Sequence, residues 1–223
     1  MIGCFVTGTD TNVGKTLVSA GLLHALAPHH QRVVGMKPVA AGLVPWGDDW
    51  ACEDAIALRA ASTLAVPAAL DNPILLPDPL SPHIAAARAG VQIDIDTIVR
   101  SYQTLAAQAD AVVVEGAGGF LVPLTDTQTG ADLAQALALP VVLVVGLRLG
   151  CLNHALLTAE AIRARGLTLV GWVANHIDPD MDAVDENIAY LNARLGAPLL
   201  ADVPYQELPE PGQLIFELPA DWL

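Results

Sequence analysis

A chain of 223 residues is long enough for one α/β domain with a substantial core, and no internal repeat or low-complexity break divides it, so residues 1–223 are read as a single domain. Ten basic residues against 24 acidic ones leave a formal net charge of −14, which excludes nucleic-acid backbones and anionic membranes as partners and requires any anionic ligand to be caught locally. Cys4, Cys52 and Cys151 are odd in number and lack metal-type spacing, which suits reduced thiols in a cytosolic protein, with Cys4 as core.

The start, Met1 to Val6, lacks the charged and apolar regions of a signal peptide, so a cytoplasmic protein is expected. Ile2–Val6 predicts a strand and Lys15–Ala27 a helix. Between them lies Gly8-Thr9-Asp10-Thr11-Asn12-Val13-Gly14-Lys15-Thr16, read as a phosphate-gripping loop. Its glycines let backbone N–H groups turn inward around an anion, the helix N-terminus adds its dipole, Lys15 supplies a mobile positive charge, and the Thr16 hydroxyl can hold Mg²⁺. Five residues, Thr9 to Val13, separate the first glycine from the Gly-Lys pair, one more than the usual pattern. The expected ligand is ATP or a relative, bound by Asn12, Val13, Gly14, Lys15, Thr16 and Leu17.

The next strand, Arg32–Met36, ends at Lys37-Pro38, and the proline pushes Lys37 toward an extended backbone from which its side chain can reach over the sheet edge. Lys15 and Lys37 are the only lysines, and both are candidates for chemistry. The acidic segment from Asp48 to Asp54 runs into a helix over Glu53–Ala60; Asp54 is a candidate ligand, although a helix dipole also accounts for acids there. Residues 66–82 carry five prolines and read as an ordered loop across the strand ends, able to shape a substrate pocket. After a helix over Asp94–Gln108, the strand Ala111–Glu115 closes in Glu115-Gly116-Ala117-Gly118-Gly119, a carboxylate placed as an Mg²⁺ ligand followed by glycines that let the backbone approach phosphate or substrate.

Leu133 to Leu147 is too interrupted for a membrane span and reads as the end of a helix over Gly130–Ala138 followed by a buried strand, Val141–Val145. The glycine turn after it leads into a helix over Asn153–Arg165, with Asn153 able to cap it, a second N-terminus suited to a carboxylate or phosphate; His154 is read as a packed or capping histidine. A fifth strand, Leu167–Asn175, ends at Asn175-His176, and after a helix over Ala183–Leu195 a sixth, Leu199–Val203, ends at Pro204-Tyr205. Their positions suggest the nucleotide-base end, although such residues also serve as plain turns. The stretch from Pro204 to Leu223, with four prolines, is read as loop. Runs apolar on both faces, such as Val112-Val113-Val114, belong to a covered parallel sheet, so the fold class is α/β, doubly wound and mostly parallel with helices on both faces. Ligands of such sheets sit beyond the carboxyl ends of the strands.

Taken together, the lengthened phosphate loop, Lys37-Pro38-Val39, Ser81-Pro82-His83, Val114 to Gly119, Leu149-Gly150-Cys151-Leu152-Asn153-His154-Ala155 and Gly171-Trp172-Val173-Ala174-Asn175 resemble the dethiobiotin synthetases, in order from the N-terminus to about Tyr205. The resemblance implies a P-loop NTPase-like fold and ATP-dependent ring closure of 7,8-diaminononanoate with CO₂, giving dethiobiotin, ADP and phosphate. It implies Lys15 and Lys37 as catalytic, Thr16, Asp54 and Glu115 as Mg²⁺ ligands, and Asn175, His176, Pro204 and Tyr205 around the base. It also implies Thr11, Ala41 and Gly118 at the diamine, and a homodimer in which Gly150, Cys151 and Asn153 of one subunit serve the neighbour's substrate. Ala41 departs from the serine often found there, which leaves a missing hydroxyl to be supplied by water or Thr11, or the diamine more weakly held. Two alternatives share the fold. A cobyrinate-type amide synthetase would carry a glutamine-hydrolysing domain for which there is no length, and a ParA- or MinD-like ATPase switch would carry an extra lysine early in the loop, where this chain has Thr9, Asp10, Thr11 and Asn12.

Overall fold

The computed structural model describes residues 1–47 and 49–223; Asp48, the first acid of the segment leading to Asp54, lies outside them. Ten strands are described: β1 (Ile2–Gly8), β2 (Val33–Met36), β3 (Val39–Ala41), β4 (Val44–Trp46), β5 (Asp49–Ala51), β6 (Ile74–Leu76), β7 (Ala111–Gly119), β8 (Val141–Leu147), β9 (Leu169–His176) and β10 (Leu199–Val203). The eight α-helices are α1 (Lys15–Leu26), α2 (Glu53–Ala61), α3 (Ala68–Asp71), α4 (Pro82–Ala89), α5 (Ile95–Ala106), α6 (Gly130–Leu137), α7 (Cys151–Ala164) and α8 (Val184–Arg194).

Six strands form one sheet in the order β10-β9-β8-β1-β7-β2, and every neighbouring pair is parallel. Alternate residues go to opposite faces, which is why continuous apolar runs were needed. Phe5, Val112, Val114, Val141, Leu143, Val145 and Trp172 bury on the side of α5, α6 and α7. Cys4, Val6, Val113, Val142, Val144 and Val173 bury on the side of α1 and α2. Cys4 is core as expected, and burial pushes its thiol up to about 12.

Several boundaries differ from the sequence reading. β1 continues two residues past Val6, and β7 four past Glu115, with Gly8 paired to Gly119. Hydrophobicity stops there but the backbone ladder does not, because glycines and Thr7 carry its hydrogen bonds as well as valines do. The segment 66–82 is more than loop: it holds α3 and β6, and β6 pairs with β3. Helix α7 begins at Cys151 with Gly150 as its N-cap at φ 95°, so Asn153 does not cap it; His154 is exposed rather than packed. The stretch after Pro204 is also more than loop, since Leu214, Phe216, Leu218 and Trp222 pack on the α1 face. A Cβ built on Gly21 would lie 2.8 Å from Leu214 and 3.0 Å from Phe216, so a side chain there would displace this segment.

Candidate functional site

The phosphate loop runs from the carboxyl end of β1 to α1. Asn12 (φ 60°) and Gly14 (φ 90°) take the left-handed conformation that turns backbone N–H groups inward, and Gly14 is the N-cap of α1. Lys15 is buried, with Nζ donating to the Asp10 carbonyl at 3.0 Å. Burial first, and then the charge of Lys37, lowers its pKa to about 8. Asn175 at the end of β9 is buried and donates from Nδ2 to the Val13 carbonyl at 2.9 Å; a Cβ on Gly14 would collide with that same nitrogen. Asp10 ties the loop to the end of β8 through its ion pair with Arg148 at 2.5 Å.

Beside the loop, the starts of α1 and α2, the end of β2 and the middle of β7 converge. The Thr16 hydroxyl lies 2.9 Å from Asp54 Oδ1 and 3.0 Å from Glu115 Oε1. Lys37 Nζ lies 2.7 Å from Asp54 Oδ2, 2.5 Å from Glu115 Oε1 and 3.3 Å from the Gly116 carbonyl. The Lys37 backbone is held as well, its N–H donating to the Asp71 carbonyl and its carbonyl accepting from Asn72 Nδ2. Burial works against the Lys37 charge, but Glu115 and Asp54 outweigh it and raise its pKa above the usual lysine value. For Asp54 burial works to raise the pKa, and Lys37 and the Thr16 hydroxyl outweigh it and hold the carboxyl below its usual range.

Glu115 Oε2 is buried and has no hydrogen-bond partner. An orphaned carboxylate oxygen beside a second carboxylate and a hydroxyl fits Mg²⁺, a hard cation that takes one or two carboxylates and completes its shell with phosphate and water. Among the described residues no three His, Cys, Asp or Glu side chains come together, so a site built wholly from such ligands is not offered.

Two cavities flank the loop. One of about 330 Å³ is lined by Asn12, Gly14, Leu17, Asn175, His176, Pro204 and Tyr205, all expected at the nucleotide, and by Glu207. The other, of about 630 Å³, brings together Thr11, Lys37, Ala41, Asp54 and Gly118, and adds Pro79, Leu80, Ser81 and Pro82. Glu207 had no signal beyond its nearness to Tyr205; Ser81 had one, since Ser-Pro opens helices. A wider depression of about 690 Å³ around Met1, His30, Arg32 and Asp110 lies at the opposite ends of the strands and holds none of these residues. Gly150, Cys151 and Asn153 line neither flanking cavity; Cys151 is buried, while Gly150 and Asn153 are exposed at the start of α7 beside Leu149, which is 96% exposed.

A parallel sheet with a phosphate loop between its first strand and helix, and acids beside it from β7 and the start of α2, defines a P-loop nucleotide-binding α/β protein. The fold is that of the MinC:MinD cell division complex of Aquifex aeolicus (14% identity, TM-score 0.59, covering 93% of this chain and 83% of that one). It is also that of a ParA family ATPase from Chlorobium tepidum TLS (16% identity, TM-score 0.56, 92% and 85%). The septum site-determining protein MinD complexed with Mg-ADP from Pyrococcus horikoshii OT3 is similar too (17% identity, TM-score 0.55, 92% and 81%). Residues 3–212 match the AAA domain family AAA_26, and the chain belongs to that family, which includes dethiobiotin synthetase. No helix among the described residues is long and apolar enough to cross a membrane.

Proposed function

We propose that this chain is a cytoplasmic ATP-dependent cyclo-ligase that carboxylates 7,8-diaminononanoate with CO₂ and closes the cyclic urea of dethiobiotin, releasing ADP and phosphate. The observation that carries the reading is the cavity of about 630 Å³, where buried Lys37 meets Thr11, Ala41 and Gly118 directly beside the phosphate loop. The switch reading asks for its extra lysine early in the loop, where this chain has Thr9, Asp10, Thr11 and Asn12, whereas the second lysine here lines the cavity instead.

The loop N–H groups and Lys15 hold the phosphates, with Lys15 exchanging the Asp10 carbonyl for a γ-phosphate oxygen. Asn175, His176, Pro204 and Tyr205 receive the base. Thr16, Asp54 and Glu115 would hold Mg²⁺, which supplies positive charge to the phosphate oxygens. A substrate amine takes up CO₂ as a carbamate, whose oxygen attacks the γ-phosphate to give a carbamic–phosphoric anhydride; the second amine then closes the ring and expels phosphate. Each step gathers negative charge, and Lys37, oriented by Glu115 and Asp54, stabilises it where carbamate and phosphate meet.

The substrate's carboxylate lies far from its amines, which calls for a second anion site. The exposed Gly150 and Asn153 at the start of α7 support its coming from a neighbouring subunit of a homodimer, with the buried Cys151 shaping that turn from within. Mixing inactive Lys37→Ala with a severely impaired Asn153 variant should then restore activity after subunit exchange, and its absence after verified exchange excludes the shared site.

The MinD- and ParA-like reading has the shared fold in its favour. Phosphate release by the purified protein separates the two. The ligase needs both diaminononanoate and bicarbonate and yields a product of dethiobiotin's mass; release indifferent to both overturns the proposal.

A further inference from the structure

Carbamate formation sheds a proton, and neither lysine can take it while serving as a cation. Ala41 offers no hydroxyl, and the hydroxyl-bearing side chains lining the diamine cavity are Thr11 and Ser81. Ser81 is the N-cap of α4, the position at which a serine hydroxyl ordinarily accepts from the helix's free N–H groups. Here it makes no such bond. Its Oγ lies instead 3.0 Å from His83 Nδ1, one turn residue beyond buried Pro82. Pro82 has no N–H to cap, and Ile84 and Ala85 donate to the Ser81 carbonyl, each at 3.0 Å. The same turn packs onto the end of β3: a Cβ on Gly42, next to Ala41, would lie 3.1 Å from Pro79. A hydroxyl free of its capping duty and joined to an imidazole therefore lines the same cavity as Ala41.

Resting on the ligase reading above, we infer that Ser81 and His83 form a proton relay that accepts the proton lost by the substrate amine as it becomes a carbamate. The amine lone pair forms the N–C bond to CO₂, one C=O electron pair moves onto oxygen, and the N–H bond breaks. That proton passes to Ser81 Oγ while the serine's own proton passes to His83 Nδ1; the imidazolium then gives its Nε2 proton to water, and exchange with water restores the Nε2–H tautomer. The relay requires the His83 tautomer with Nδ1 unprotonated, which the contact to Ser81 permits. Ser81 is the catalytic residue and His83 acts through it. The other titratable groups lining the cavity, Lys37 and Asp54, are bonded to each other, and Asp78 nearby pairs with Arg88 of α4 at 3.8 Å, so the imidazole is the base in this corner.

The test measures diamine-dependent phosphate release against pH for the wild type, Ser81→Ala, Ser81→Thr, His83→Ala and His83→Gln. At about pH 7, Ser81→Ala and both His83 variants should lose on the order of 10²-fold in kcat/KM for the diamine with ATP affinity unchanged, because general-base help is worth about that much. The loss should shrink as rising pH supplies hydroxide to take the carbamate proton in the relay's place, Ser81→Thr should recover activity, and added imidazole should partly rescue His83→Ala. Should His83→Ala fold poorly, His83→Gln reads the same step, since it keeps a hydrogen bond to Ser81 without basicity. A loss equal at every pH and deaf to imidazole, or no loss at all, overturns the relay. Wild-type protein without diamine-dependent release overturns the ligase reading instead, so the two failures are distinct.

Discussion

The two cavities beside the phosphate loop are built on different physics. The cavity beside Tyr205 is held mainly by neutral groups, with Glu207 as the acid on its wall: Asn175 donates to the Val13 carbonyl and fills the space a side chain at position 14 would need. Among the described residues, no buried side-chain polar atom that lines it lacks a partner. The cavity beside Lys37 is organised by charge, with the buried lysine shared between Asp54 and Glu115, a trio of net −1 that leaves Glu115 Oε2 without a partner. Neutral hydrogen bonds finish a site in advance, whereas buried charges leave it waiting for a counter-ion. The contrast lies in cost, since an unpaired buried charge costs far more than a lost neutral bond.

The largest effect should come from Lys37→Ala. Turnover is expected to fall on the order of 10³-fold with nucleotide affinity nearly intact. The metal-free protein should also lose about 3 kcal/mol of stability, because Glu115 is left buried and unpaired, and Mg²⁺ should recover part of that. Unchanged turnover would remove Lys37 from the mechanism. Next is Gly14→Ala, which places a side chain at positive φ and against Asn175; chemical denaturation should show a loss of about 2 kcal/mol, and nucleotide affinity should drop with it. Glu115→Gln and Thr16→Val should each weaken Mg²⁺-nucleotide binding at least about tenfold, ~1.4 kcal/mol, beyond their effect on metal-free nucleotide. Equal losses with and without Mg²⁺ would mean that neither is a ligand.

On the neutral side, Asn175→Ala removes one hydrogen bond to the loop and should cost about 1 kcal/mol with no dependence on Mg²⁺. The smallest effect is a fraction of a proton. Lys15 has a pKa of about 8 without nucleotide, and phosphates raise it, so binding above pH 8 takes up a proton and binding at about pH 6 does not. Calorimetric enthalpies in buffers of different ionisation heat read this directly; no buffer dependence above pH 8 would refute the lowered pKa.

The two sides also differed in how plainly the sequence announced them. β10 is bounded by Pro198 and Pro204 and was legible to the residue, and the runs of β7 and β8 could be nothing but covered parallel strands. Residues at the carboxyl ends of β2, β9 and β10 marked both cavities. Short elements were hidden: β3 and β6 have three residues each, too few for any periodicity, and they exist because they pair with each other. Gly150 displaced Asn153 as the cap of α7 because the turn needs a left-handed residue, which composition alone does not rank against a capping asparagine. The union of Lys37 with Glu115, 78 positions apart, is written in no local pattern, and neither is the packing of Leu214 and Phe216 on Gly21.

The scarcity and burial of lysine have a practical consequence. The chain's two lysines are 7% and 4% exposed, while Met1 is 64% exposed. Amine-directed acylation therefore meets no lysine on the surface. Lys15, whose ammonium gives up its proton more easily than an ordinary lysine, becomes the side-chain amine most able to react when the loop is empty, and a bound phosphate chain would shield it. Intact mass after brief exposure to an acylating reagent would thus count occupied nucleotide sites without any engineered label.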